Sequence, residues 1–199
     1  AYSCGTVRVV FEESMRAAIP AMLGAAALVP VKGWNPVTVV LTLSAPAIFG
    51  FWRTLTSGGP DDSVQLLDLT ADGKSVLYVT TAGGETGRVV QRSLSGGPEK
   101  VLAAHPEVEP LEVSIHPTRH VVEGVVFEAG LPSWTLLDPT VKKDFDVFAH
   151  LAKGFPEVVS RDRADRIWVV SFRDAQGPTR YFLFDRTSLQ GKPLFVDRP

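Results

Sequence analysis

The sequence has a single cysteine, Cys4, so no internal disulfide framework and no thiol pair for a structural zinc site can form. Asparagine occurs once, at Asn35, and Pro36 follows it, so no N-glycosylation sequon marks a secreted surface. These two shortages point to a reducing, cytoplasmic compartment. A basic excess is also missing. The formal net charge is -2 with no cluster of Lys and Arg, which argues against nucleic acid as a partner, because such binding draws on counterion release by many cations. The start, Ala-Tyr-Ser-Cys, has neither an initiating Met nor the basic-then-apolar pattern of a signal peptide, and reads as part of a longer chain.

What is present is an ordinary folding composition. Hydrophobic residues make up 45% of the 199 and charged residues 21%, enough to bury a core in one domain or two small ones. The charge is unevenly spread. Only six of the first 60 residues are charged (Arg8, Glu12, Glu13, Arg16, Lys32 and Arg53), against 36 of the other 139. The sequence therefore divides into an apolar segment over 1–60 and a second part over 61–199. Within the first, Ala17 to Val31 and Gly33 to Trp52 are uncharged runs of 15 and 20 residues, the longer just reaching the length of a bilayer span. Pro20, Pro30, Pro36 and Pro46, with Gly24, Gly33 and Gly50, break these runs at intervals that a membrane helix tolerates poorly. Buried strands and turns are the plainer reading, with Val37 to Leu43 short and β-branched. A membrane-associated segment, or one foreign to the rest of the chain, are the other two readings.

From Asp61 onward the grammar is that of short strands. Ser63 to Leu69, Ser75 to Thr81, Arg88 to Leu94 and Glu99 to Ala103 are rich in β-formers and separated by turn residues such as Asp72-Gly73 and Gly96-Gly97-Pro98. The same grammar returns in Leu111 to Ile115, Val121 to Phe127 and Trp134 to Leu137, then in Glu157 to Ser160, Arg166 to Phe172, Arg180 to Asp185 and Lys192 to Val196. Asp72, Pro117 and Asp162 each precede an apolar strand and lie 45 residues apart. A repeat of that length with four strands per unit is the spacing of β-propeller blades. The expected fold is all-β, a partial β-propeller of about three four-stranded antiparallel blades with one inserted helix; a β-sandwich is the alternative. The helix is read from Asp138 as N-cap, Pro139 in the first turn, an apolar stripe of Val141, Phe145, Phe148 and Ala152, and Gly154 as terminator. Packing on its own sheet is the expected use of that stripe, ahead of docking a partner.

The residues give no catalytic, cofactor-binding or metal site. No serine has the Gly-x-Ser-x-Gly context of a nucleophile elbow. Of the four histidines, only His116 and His120 are closely spaced, and Pro117 between them makes a turn rather than a shared helix face. Asp144, Asp146, Asp162 and Asp165 are explained by solvation and capping. Gly58-Gly59, Gly83-Gly84 and Gly96-Gly97 lie in hairpin turns with no following Lys-Ser/Thr or helix, so no phosphate cradle is supported. Trp52, Trp134 and Trp168 are assigned to packing between blades.

Several strings, taken in order, resemble one family. They are Pro60-Asp61-Asp62-Ser63 leading to Leu69 through Tyr78, Ile115-His116-Pro117-Thr118, Trp134 through Pro139, Val159-Ser160-Arg161, Asp165 through Val170, and Arg180 through Arg186. Together, over roughly residues 52 to 199, they resemble the propeller domain of prolyl oligopeptidase-family serine peptidases of the acylaminoacyl-peptidase or dipeptidyl-peptidase-like kind. Leu194 through Pro199 looks like the point where that family's chain leaves the propeller for its α/β-hydrolase domain. The resemblance implies that the Ser-Asp-His triad belongs to that hydrolase domain, which would be the partner of this segment, and that no catalytic residue falls here. It also implies that the propeller caps the active site and restricts entry to short peptides. A stand-alone propeller-like binding or scaffold module is the alternative function. Three blades do not close a ring, so open edges and faces are expected to limit stability or to drive self-association.

Overall fold

The structure, a computed structural model, describes residues 26–28, 38–43, 51–57 and 61–197. The expected strand over Val37 to Leu43 appears as Thr38–Leu43. Every other expectation for the rest of the first 60 residues, the membrane and foreign-segment readings included, lies outside the described residues. No helix among the described residues is long and apolar enough to cross a membrane.

The chain divides into two compact units, Ala1–Ala129 and Gly130–Pro199. The first holds β1 (Ala26–Leu28), β2 (Thr38–Leu43) and β3 (Phe51–Ser57), an antiparallel sheet in chain order. It continues with β4 (Val64–Leu69), β5 (Ser75–Thr80), β6 (Arg88–Ser93) and β7 (Lys100–Ala104), a four-stranded antiparallel meander. Last come β8 (Pro110–Ile115) and β9 (Val122–Ala129), paired antiparallel. The second unit contains β10 (Leu131–Leu136), helix α1 (Pro139–Leu151) and a second four-stranded meander of β11 (Phe155–Arg161), β12 (Ile167–Arg173), β13 (Thr179–Asp185) and β14 (Gln190–Asp197). The all-β expectation with one inserted helix holds. One detail differs. The middle repeat supplies three strands, β8 to β10, because Asp138-Pro139 nucleates α1 where a fourth strand would follow.

The turns set the true spacing of the repeats. Thr70, His116 and Asp162 each donate a backbone N–H to the carbonyl five residues on, in Ser75, Val121 and Ile167, and so stand 46 residues apart. At each position the side chain accepts an amide from inside the turn: Thr70 Oγ1 from Ser75, His116 Nδ1 from Thr118 and Arg119, and Asp162 Oδ1 from Arg166 and Ile167. Matching the aspartates by type gives 45 because Asp72 is the third residue of its turn and Asp162 the first. The two meanders also share an irregularity. Their last two strands slip register between Val89 and Val90 in one and between Tyr181 and Phe182 in the other. Tyr181 is therefore the counterpart of Val89, and Phe195 of Ala103.

In the second unit, strand alternation sends Trp168, Val170 and Phe172 from β12 and Phe182 and Phe184 from β13 to one face, where Val141 and Phe148 of α1 cover them. Phe148 is fully buried and meets Phe184 and Phe172 edge-on, with ring centroids 4.9 and 6.0 Å away. Asp138 caps the helix, its carboxylate accepting from Thr140 N at 2.8 Å. Gly154 turns the chain away at φ 112°, where a Cβ would lie 2.6 Å from the Arg173 carbonyl oxygen. In the first unit, Leu69, Val76, Tyr78, Val90 and Leu94 form the corresponding core.

Candidate functional site

Among the described residues, three polar clusters bring titratable side chains together. The largest is built around Arg186, in the turn after β13. Arg186 Nε donates to Asp144 Oδ2 at 2.9 Å and its Nη2 lies 2.8 Å from the same oxygen. Nη1 donates to the carbonyl oxygen of Asp165 at 2.9 Å and also to its carboxylate, while Nη2 reaches the Thr140 carbonyl at 3.2 Å. Four hydrogen bonds and the Nη2–Asp144 ion pair thus surround the guanidinium. Its plane lies over the indole of Trp168, 4.2 Å from the ring centroid, and Arg161 sits 4.6 Å from the same ring. Trp168 Nε1 donates to Asp165 Oδ1 at 2.7 Å. Asp144 is completely buried, and its Oδ1 has no hydrogen-bond partner among the described residues. Burial raises the Asp144 carboxyl above its ordinary value, against the pull of the Arg186 hydrogen bond and charge.

The expectation that solvation and capping explain Asp144 and Asp165 is therefore corrected. Asp144 is buried as the partner of Arg186, and Asp165 joins Arg161, Arg186 and Trp168. Asp162 is a capping residue as expected, its carboxyl held below the usual range by the Ile167 amide. Trp168 packs beneath α1 between two arginines, not between blades. Trp134 stacks parallel to Phe155 at 5.9 Å and donates its indole N–H to the Pro156 carbonyl at 2.8 Å. The side chain of Trp52 lies outside the described residues.

Above Arg186 is a cleft of about 750 Å³ lined by Thr140, Lys143, Asp165, Arg166, Arg186 and Thr187. It has the size of a small-molecule site but not the contents of a catalytic one. Every nitrogen of the Arg186 guanidinium already has a partner within the protein. The two threonine hydroxyls have no imidazole among the lining side chains to act as base.

The second cluster joins His120 to Asp68. A bulge in β4 between Leu66 and Asp68 re-aims the carboxylate, and His120 Nδ1 donates to Asp68 Oδ2 at 2.8 Å. Among the described residues His120 has no hydrogen bond to a hydroxyl or thiol beside this contact, so the pair has the base and orienting groups of a triad without a nucleophile there. His116 has a separate role, its Nδ1 accepting turn amides. Among the described residues, no three His, Cys, Asp or Glu side chains are grouped to hold a metal ion.

The third cluster centres on Glu99. It accepts from Tyr78 Oη at 2.7 Å and from Arg92 Nη1 at 3.5 Å, with Arg88 at 3.8 Å and Thr56 Oγ1 at 3.5 Å. Burial and the Glu99 carboxylate push the Tyr78 phenol up to about 12, so it stays protonated at neutral pH. The cluster ties β3 and β5 to β6 and the start of β7 and carries no reactive geometry.

What the fold and these clusters define is a set of tandem antiparallel β repeats whose buried charges bind one element to another. Over 131 residues, 66% of the chain, the sequence is 23% identical to the dipeptidyl aminopeptidase BIII of Pseudoxanthomonas mexicana, and the chain spans about a fifth (19%) of that relative's length. The chain is thus similar to part of a peptidase. No family model matches it.

Proposed function

We propose that this chain is the non-catalytic propeller portion of a prolyl oligopeptidase-type serine peptidase, where it caps the α/β-hydrolase active site and gates entry of short peptides. The observation that carries the reading is the 131-residue match to a dipeptidyl aminopeptidase in a chain that folds as repeated antiparallel sheets with matching turns and bulges. Two features support it. Among the described residues the Asp68–His120 pair has no nucleophile beside it and the Arg186 cleft has no base among its lining side chains; in this reading the chemistry is supplied by the hydrolase domain. The lone Cys4 fits a reducing, cytoplasmic setting.

The test is to read the gene beyond the codon for Pro199 and to co-express the encoded continuation with this segment. The reading expects Gly-x-Ser-x-Gly followed by Asp and His in the continuation, and release of dipeptides that becomes less size-selective when this segment is deleted. A continuation with no such motif would favour the stand-alone binding module instead.

A further inference from the structure

The cleft above Arg186 lacks the contents of a catalytic site, but its charges define what it can hold. It lies wholly in the second unit, between the start of α1 and the turns that follow β11 and β13. At the floor the charges offset one another. Arg186 faces Asp144 and Asp165, and Arg161 meets Asp165 at 3.2 Å, so two arginines stand against two aspartates. Those contacts and the indole of Trp168 hold the Arg186 guanidinium in one place, which sets a fixed positive charge beneath the cleft.

The walls differ from the floor. Lys143, from α1, and Arg166, from the β11–β12 turn, line the cleft and are exposed. Neither side chain makes a hydrogen bond or an ion pair with a described residue, and their charges reach Asp144 and Asp162 only through space. The nearby carboxylates are committed elsewhere. Asp162 Oδ1 accepts the amides of Arg166 and Ile167, and Asp165 is engaged by Arg161, Arg186 and Trp168. The lining side chains therefore set three cations, Lys143, Arg166 and Arg186, against one carboxylate that is already paired. No acidic residue stands in the first turn of α1 to offset them. A concave surface lined by one sign of charge concentrates counter-ions of the other.

We propose that this cleft binds the phosphoryl group of a small phosphorylated molecule, with Lys143 and Arg166 as its cationic partners, the Thr187 hydroxyl as a neutral donor and Arg186 as the fixed charge behind it. A phosphate ester carries close to two negative charges at neutral pH and offers three acceptor oxygens. It can engage both wall cations at once, the arginine through its planar fork and the lysine as a point charge. A carboxylate, with one charge, leaves one of them uncompensated. The volume of about 750 Å³ exceeds that of a phosphate ion and leaves room for the organic remainder of the ligand. The proposal rests on the cleft and not on the peptidase reading, so hydrolysis elsewhere in the protein, or its absence, leaves it standing.

The experiment is a nuclear magnetic resonance titration of the full 199-residue chain with inorganic phosphate, pyrophosphate and acetate at constant ionic strength. Phosphate and pyrophosphate are expected to give saturable shifts of the amides of residues 140–143, 165–167 and 186–187, with pyrophosphate the tighter. Acetate should not saturate. Lys143→Gln and Arg166→Gln should each raise the dissociation constant about tenfold or more, while Lys143→Arg keeps the charge and most of the affinity. Lys153→Gln, beyond the far end of α1, should leave binding unchanged. The amide spectrum of each variant reports whether it folds, and the map of shifts in wild type stands if one does not. Shifts that never saturate, that fall outside those residues, that acetate reproduces, or that ignore both substitutions would overturn the proposal.

Discussion

Arg186 and Asp144 lie 42 residues apart in sequence, yet Nε of the one donates to Oδ2 of the other at 2.9 Å, joining the β13–β14 turn to the middle of α1. This contact ties the only helix among the described residues to the sheet beneath it. Because the carboxylate is wholly buried, its effect on stability depends on which partner is removed.

Arg186→Met leaves the Asp144 charge buried without a counterion and is expected to cost about 3–5 kcal/mol. Asp144→Asn removes the buried charge and leaves Arg186 with Asp165, so its cost should be about 1 kcal/mol. Urea unfolding of both variants checks the asymmetry; equal losses would contradict it.

Acid should act on Asp144 and Asp162 in opposite directions. Burial raises Asp144 above 3.8, so the stability linked to its protonation is full below that value and is lost as pH rises through the raised pKa. The Ile167 amide lowers Asp162 below 3.8, so its contribution is present above 3.8 and is lost as pH falls through the lowered pKa. On acidification towards about pH 4, wild type should gain stability relative to Asp144→Asn. At still lower pH it should lose stability relative to Asp162→Asn. Denaturant unfolding at several pH values measures both differences.

Tyr78 gives the alkaline limb. Its phenol is raised from 10.0 to about 12, so its contribution is full below 10.0 and disappears as pH rises through about 12. Tyr78→Phe should flatten the loss of stability in that window. Ultraviolet absorbance of phenolate during the titration should show one tyrosine ionising late.

Gly154 is held where a side chain does not fit. At φ 112°, with the Arg173 carbonyl 2.6 Å from a Cβ position, Gly154→Ala should destabilise the chain by more than about 1 kcal/mol. Gly97→Ala, at φ 106° with open space around it, carries the backbone penalty alone and should cost less. Thermal melting of the two variants makes the comparison.

The strands were readable because β-branched runs alternate with turn residues, and the helix because Asp138-Pro139 and Gly154 bracket an apolar stripe. Register was harder. Asp72 and Asp162 share a residue type but not a turn position, and only the closing hydrogen bonds of Thr70, His116 and Asp162 reveal the 46-residue spacing. The Arg186 cluster was missed because its members are distant in sequence, although a signal was there. Asp144 is three residues after Val141 and four before Phe148, on the apolar stripe itself, where a carboxylate needs a buried partner. The Asp68–His120 pair gave no comparable sign, since a bulge in β4 creates it.

The proposed role as a non-catalytic propeller portion requires that this chain hydrolyse nothing on its own, and hydrolysis of a dipeptidyl anilide by the purified 199-residue chain tests it most directly. The account predicts no release above the buffer rate and no labelling by a serine-directed fluorophosphonate. Turnover that the fluorophosphonate abolishes, with a labelled serine in the chain, would contradict it.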